Sequence, residues 1–275
     1  MAEYCKMLLI PDAHSAPNES LRRFEWLGEF ILTEMPDVII DIGDWYDMES
    51  LCSYDKGTKS FEGRRYKADI QAGKEAERLS FGRIVEYNDT CTRNKKKKYN
   101  PTILRTRGNH EERINRAVER QAELDGIIGI ADTISSLDLN FINVPFLKTC
   151  IIHDIAFSHY FVSGIMGRPV ASASALLAKH HMSTVMGHSH TKDWSGGVKA
   201  DGTRMQGLIC GSYHDPDHSS SFASEQAESI WWSGLHVFRD VYKGDYDREE
   251  YSVERLQRLM EGSAYGKASK AVEAA

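Results

Sequence analysis

Met35-Pro36-Asp37-Val38-Ile39-Ile40-Asp41-Ile42-Gly43-Asp44-Trp45-Tyr46-Asp47 is the stretch that decides the fold. Pro36 ends whatever precedes it. The short apolar run after it reads as a buried parallel strand that empties into a glycine loop. A carboxylate just past such a strand, here Asp44, lies where open α/β sheets place their chemistry. Gly-Asp is also ordinary turn chemistry, so the reading depends on whether other segments have the same shape.

Four others do. Lys6 to Pro11 is an apolar strand that delivers Asp12-Ala13-His14, an oxygen and a nitrogen donor two residues apart. Between the two strands, apolar residues at 21, 24, 27, 28, 31 and 32 predict a helix over Leu21–Leu32, capped by Asn18-Glu19-Ser20. That makes a βαβ unit. Thr102 to Thr106 predicts a third strand, ending at Arg107-Gly108-Asn109-His110-Glu111. A hairpin over 149–158 ends at His159, and a strand over Ser183–Met186 delivers Gly187-His188-Ser189-His190. Two imidazoles two apart behind a strand and a glycine are the most specific single metal signal in the chain.

The rest of the chain carries less chemistry. A charged helix is expected from Glu111 to about Leu124, a helix near 127–136, a strand near Asn140–Val144 and an alanine-rich helix over Val170–Lys179. A strand over Gln206–Gly211 and a terminal hairpin over 230–241 and 247–253 follow. His153 reads as a turn residue, and His180 and His181 as helix-end residues that favour the dipole. His214 and His218 read as loop residues rather than ligands. Residues 1–261 are expected to form a single domain, with 262–275 a flexible tail.

The stretch 49–100 departs from simple α/β alternation. It reads as an insertion over the strand ends, with a long helical pattern running to Tyr87 or Asn88. Arg64, Arg65, Tyr66 and Lys67 could hold phosphate or stack on a base, and Arg64, Arg65 and Tyr66, with Arg168 in the loop 164–169, are the candidate substrate contacts. A solvated helix start is the alternative for Arg64, Arg65 and Tyr66.

The chain has 275 residues, 41% of them hydrophobic, enough for one large core. No apolar run approaches a membrane span, and the first residues lack the basic-then-apolar order of a signal peptide. The five cysteines, at 5, 52, 91, 150 and 210, are scattered. Reduced thiols in a cytoplasmic protein are therefore expected. The net charge of −6 is unevenly spread: residues 56–120 hold 18 Lys+Arg against 9 Asp+Glu, and the remainder 16 against 31. Either this is ordinary variation among helices and loops, or a basic face lies beside an acidic metal site and suits an anionic substrate.

Together the strand ends supply Asp12, His14, Asp44, Asn109, His110, His159, His188 and His190. That is too many O/N donors for a closed structural zinc site. It suits two divalent ions sharing a carboxylate, expected to be Asp44, with one imidazole left free to protonate a leaving oxygen. Such a centre hydrolyses phosphate esters through a metal-bridging hydroxide.

Taken in order, Asp12-Ala13-His14, Gly43-Asp44-Trp45-Tyr46-Asp47, Gly108-Asn109-His110-Glu111, His159 and Gly187-His188-Ser189-His190 resemble the five motifs of calcineurin-like metallophosphoesterases. The resemblance covers residues 4 to about 211. It implies an αββα sandwich with a dimetal centre at its rim, here with an inserted helical segment and a C-terminal hairpin. It implies Asp12, His14 and His190 on the first ion, Asn109, His159 and His188 on the second, and Asp44 between them. His110 is then the free imidazole and Asp47 the carboxylate that orients it. Met48 stands where the phosphoprotein phosphatase branch has Arg, which speaks against a phosphoprotein substrate. The segments 53–57 and 60–66 resemble phage-encoded members, which would place the protein in a host cytoplasm.

The expected function is hydrolysis of a phosphodiester in DNA, RNA or a nucleotide. A phosphomonoesterase acting on nucleotides or small metabolites is the alternative, followed by a non-catalytic scaffold or a redox metalloprotein. Manganese is the expected metal, with Fe, Zn, Ni and Mg also compatible. No membrane partner is expected, and the sequence does not fix the oligomeric state.

Overall fold

The computed structural model describes residues 4–215 and 225–262. His218, read above as a loop residue, and the expected tail apart from Gly262 lie outside them. The strands are β1 Cys5–Ile10, β2 Val38–Asp41, β3 Thr102–Thr106, β4 Phe141–Val144, β5 Cys150–Ile152, β6 Ile155–Phe157, β7 Ser183–Met186, β8 Lys192–Val198, β9 Arg204–Cys210, β10 Gly234–Tyr242 and β11 Asp245–Ser252. The helices are α1 Arg22–Glu34, α2 Tyr66–Ser80, α3 Gly82–Arg93, α4 Glu112–Arg120, α5 Ala173–His180, α6 Glu225–Glu228 and α7 Val253–Glu261.

Two mixed sheets result, in the orders β11-β10-β1-β2-β3-β4 and β5-β6-β7-β9-β8. The period of two along each strand decides what each face meets. Met7, Leu9, Ile40 and Leu104 of the first sheet pack with Phe157, Val185 and Leu208 of the second. Their neighbours Leu8, Ile10, Ile39 and Ile103 point the other way, onto Phe24 and Leu27 of α1 and Ala76 and Ile84 of α2 and α3. Beyond the second sheet, Leu176 of α5 covers Ala156, Met186 and Ile209. The chain is thus a four-layer α/β sandwich. Strands β1, β2 and β3 run parallel, as do β6, β7 and β9, so each set delivers its C-terminal ends to one rim.

Several expected elements differ. The long helix of the 49–100 stretch is two, broken at Phe81, whose ring sits in the core against Trp45 and Phe141. Residues 66–93 form an outer layer packed on α1 and the first sheet, and only 49–65 lie at the rim. No α-helix forms at 127–136, where glycines at 126 and 129 flank the apolar residues and leave one short 3-10 turn over Ile130–Thr133. The edge strand β8 went unread because Ser195, Gly196 and Gly197 interrupt its apolar residues. The hairpin begins later than expected, at Gly234, and turns on Lys243-Gly244.

Candidate metal centre

Six strand ends meet at the rim, and backbone hydrogen bonds lock their loops together. The His14 amide donates to the Asp44 carbonyl at 2.8 Å, Gly187 N to His159 O at 2.9 Å, and Tyr213 N to Asp12 O at 2.8 Å. Glu111, buried, gathers two of these loops. Its carboxylate accepts from the amides of Asp44 (3.1 Å), Tyr46 (2.9 Å) and Gly108 (2.8 Å). Two glycines leave room for carboxylates. A Cβ on Gly108 would lie 1.9 Å from Asp44 Oδ1, and one on Gly187 would lie 2.1 Å from Asp12 Oδ1. Four of the donor residues hold left-handed backbone: His14 (φ 44°), Asp44 (φ 53°), His188 (φ 73°) and His190 (φ 59°). Non-glycine residues adopt it rarely.

The side chains fall into two groups that share Asp44. Asp12, His14 and Asp44 form one cluster, and Asp44, His159 and His188 the other. His14 Nε2 faces His190 Nε2 at 3.0 Å and Asp44 Oδ2 at 3.9 Å, and His190 Nε2 lies 3.6 Å from Asp12 Oδ2. On the other side, Asn109 Oδ1 lies 2.9 Å from His159 Nε2 and 2.7 Å from His188 Nδ1. His159 Nε2 also lies 3.2 Å from Asp44 Oδ2. The far nitrogens are anchored: His159 Nδ1 donates to the Ile42 carbonyl at 3.1 Å, and His14 Nδ1 to Asp47 Oδ1 at 2.7 Å. Such bonds fix the tautomer and leave Nε2 as the donor atom for an ion. The seven candidate ligands thus converge on one spot.

His110 stands at the edge. Its Nδ1 reaches Asp47 twice, the carboxylate at 2.8 Å and the carbonyl at 2.7 Å. Its Nε2 is 3.9 Å from Asp44 Oδ2. Asp47 therefore holds two rings, those of His110 and His14, where the sequence suggested one. The position alone leaves His110 able to join an ion as well as to stay free, since His14, Asp47 and His110 also cluster.

Charge balance tests whether divalent ions fit. Asp12 and Asp44 are buried completely or nearly so. Burial pushes Asp12 well above the carboxylate range, more than nearby His159 lowers it. Asp44 faces the same penalty, but His159 and His110 overcome it and hold it well below. Burial would strip His159 of its proton, yet Asp44 and Asp12 pull it up to about 10. The carboxylates thus recruit positive charge from whatever is at hand. Asp12 Oδ1, fully buried, accepts no hydrogen bond from the described residues. His188, in contrast, is pushed down to about 4, by burial and then by the charge of His159. Neutral imidazoles beside buried carboxylates, with one carboxylate oxygen unsatisfied, are a donor set that fits divalent cations.

A cavity of about 790 Å³ opens beside the cluster, with His14, Asp47 and His110 on its floor. Arg64 lines it, but its guanidinium is bound to Asp55 at 2.6 Å and to the Glu49 carbonyl at 3.3 Å. Tyr66 turns away, its hydroxyl on Asp132 at 2.6 Å. Arg65 and Arg168 are exposed and do not line this cavity. The wall holds Glu19, Asp47, Glu49, Asp55 and Glu62 against Arg64 and Arg113. The basic stretch does not gather here. Arg105 is buried on Asp41 and Glu77, while Arg78 and Arg83 pair with Glu75, Glu29 and Glu86.

Three residues at the site were not read from sequence as its parts. Glu111 was only the tail of a motif, although a buried carboxylate among loop amides is a natural clasp. Arg113 places Nη2 3.1 Å from His110 Nε2 and donates from Nη1 to the Asp47 carbonyl at 2.9 Å; its one-turn spacing from His110 was the available signal. His214, read as a loop residue, is instead buried against His14 and His190. A lone imidazole in a loop of Asp, Pro and Ser carries no signal of its own.

No protein-family model matches this chain, and no curated protein matches it. Among solved structures it is similar to the crystal structure of a Vps29 double mutant from Entamoeba histolytica, at 10% identity. The likeness covers 90% of this chain and 99% of that one with a TM-score of 0.33, too low to bear on fold or function.

Proposed function

We propose that this protein hydrolyses phosphate esters at a two-metal centre. The observation that carries the reading is the double membership of Asp44: one buried carboxylate belongs both to the cluster of Asp12 and His14 and to that of His159 and His188. Two-metal sites of phosphatases and nucleases share a ligand in this way, with ions about 3.5–4 Å apart. Asp12, His14 and His190 would hold the first ion, and Asn109, His159 and His188 the second. When bound, the ions would neutralise charge on the phosphoryl oxygens and supply an activated water.

The chain's own residues then manage the leaving group. Asp47 fixes the His110 ring through Nδ1, so that any second proton sits on Nε2, at the cavity floor. Burial and the Arg113 guanidinium, whose Nη2 faces Nε2 at 3.1 Å, oppose that proton, but Asp44 and Asp47 outweigh them and hold His110 above its ordinary pKa, so Arg113 must turn off Nε2 when the proton is there. A charged imidazole there can protonate a departing alkoxide. The Arg113 guanidinium beside it is placed to contact a phosphoryl oxygen.

Two substrate classes remain within this reading. The acidic wall of the cavity favours a small phosphate ester over a DNA or RNA strand, because carboxylates in excess repel a polyanion. The test is turnover of p-nitrophenyl phosphate beside bis-p-nitrophenyl phosphate with manganese added, and with His110→Ala as control. Metal-dependent turnover with the monoester ahead is the expected result. A strong preference for the diester would return the choice to nucleic acid or cyclic nucleotides. A protein that binds two ions per chain and turns over neither compound would sink the hydrolase reading and favour a scaffold.

A further inference from the structure

His214 lies in the loop after β9, one residue beyond Tyr213. Its ring centroid is 5.0 Å from that of His14 and 4.8 Å from that of His190. One ring nitrogen from each of these three residues lies within 4.8 Å of the other two. All three side chains are buried, yet His14 and His214 both line the cavity. Three buried imidazoles whose ring nitrogens converge are a donor set that fits a borderline divalent cation.

The surroundings hold this cluster from two sides. Arg23, fully buried in α1, donates from Nε to the Tyr213 carbonyl at 3.0 Å. From Nη2 it donates to the carbonyls of Ala13 (2.9 Å) and His14 (3.2 Å). One guanidinium therefore clamps the loop of His14 to the loop of His214. Tyr213 returns the contact, its hydroxyl donating to the Arg23 carbonyl at 2.6 Å. On the other side, Trp231 packs on both His190 (4.6 Å) and His214 (5.5 Å). The Ser233 hydroxyl donates to the His214 carbonyl at 3.0 Å. His214 is thus fixed beside the first-ion donors by partners that also hold His14 and His190 in place.

Resting on the two-metal reading above, we propose that His214 is a protein ligand of the first ion, making with His14 and His190 a three-imidazole set. The second ion would have two imidazoles, His159 and His188. The two sites are then chemically unequal. A nitrogen-rich first site selects zinc, cobalt, nickel or iron over magnesium, which prefers oxygen. The second site, built on Asn109 and Asp44 with two imidazoles, discriminates less.

The test is titration of the full-length apo protein with Co²⁺, followed by calorimetry and by visible absorption. The wild type should bind two ions. In His214→Gln, folded by circular dichroism, one dissociation constant should rise tenfold or more while the other stays put, with a changed cobalt spectrum. His159→Ala should weaken the other constant, and magnesium should fill the first site poorly in the wild type. His214→Gln and His214→Ala that bind both ions with wild-type constants would overturn the proposal. A wild type that binds no Co²⁺ would instead remove the two-metal reading, and His214 with it. Should neither variant fold, the long-range ¹H–¹⁵N spectrum of the zinc-loaded wild type decides. A metal-bound shift at a His214 ring nitrogen supports the ligand, and a free-imidazole shift rejects it.

Discussion

His110 keeps its Nδ1 proton on Asp47 and its own position at the edge of the cluster, so removing it should leave the ion donors in place. His110→Ala is expected to retain both metals, by elemental analysis, while turnover falls by about 10²–10⁴-fold, the usual worth of a general acid. Equal loss of metal would make His110 a ligand. Gly108 tests the site through its backbone. An added methyl would meet Asp44 Oδ1 at 1.9 Å and the Asp44 amide at 2.4 Å, and neither loop can retreat while Glu111 holds both. Gly108→Ala should therefore depress metal content at both positions, a change that no loss of catalytic chemistry explains. A fully metallated Gly108→Ala protein would show that Asp44 is free to move. At this scale the sequence was informative where donors came in short strand-end motifs, as at Asp12-Ala13-His14. His214 was invisible for the opposite reason: it matters through neighbours brought from far along the chain.

Between elements, Arg105 is the join. It sits on β3, its Nε 2.6 Å from Asp41 on β2 and its Nη1 bound to Glu77 on α2. Its guanidinium lies against Trp45, Phe81 and Phe141. Truncation would strand two buried carboxylates, which typically costs about 3–5 kcal/mol. Arg105→Ala should lose stability of that order in urea unfolding, and a loss below about 1 kcal/mol would mean the carboxylates simply take up protons. This join also explains what the 49–100 stretch is for. Its charge and length suggested a cover for the strand ends, but Glu77, Ala76 and Phe81 commit 66–93 to the sheet. A buried acid inside a charged amphipathic helix reads from sequence as one more solvated residue. Likewise β8 could not be read, since an edge strand with half its residues exposed has no apolar stripe to show.

Across the whole molecule, the two sheets are held by apolar side chains and by several polar ties, among them the Gln206 amide on β9, which donates to the Tyr246 carbonyl on β11 at 2.6 Å. His236 on β10 of the first sheet, fully buried, bonds through Nε2 to the Cys210 carbonyl on β9 of the second at 2.8 Å. Burial pushes its pKa down to about 4, more than the Cys210 hydrogen bond raises it. The unfolded chain binds a proton near pH 6.5 that the folded chain refuses. Stability from this group is therefore complete above pH 6.5 and falls as the pH drops toward 4, by at most about 3 kcal/mol. His236→Gln can keep the hydrogen bond without the titration. Its unfolding free energy should fall less than that of the wild type between pH 7 and pH 5, and identical slopes would refute the assignment. The layered α/β architecture was legible because its strands alternate and its helices are amphipathic. The uneven charge along the chain was equally legible, and part of it is neutralised locally, Arg78, Arg83 and Arg105 being paired where they stand while Lys95 to Lys98 stay exposed. No disulfide joins the five cysteines, and among the described residues no helix is long and apolar enough to cross a membrane.

The left-handed backbone at His14, Asp44, His188 and His190 bears on how such a protein can change over generations. Each of these positions costs about 1 kcal/mol or more relative to glycine there. Selection for heat resistance alone would thus erase the donors one at a time, each replacement giving a sturdier and emptier fold. At these four positions the donors and the strain coincide, so fold stability and what the rim can hold pull in opposite directions there.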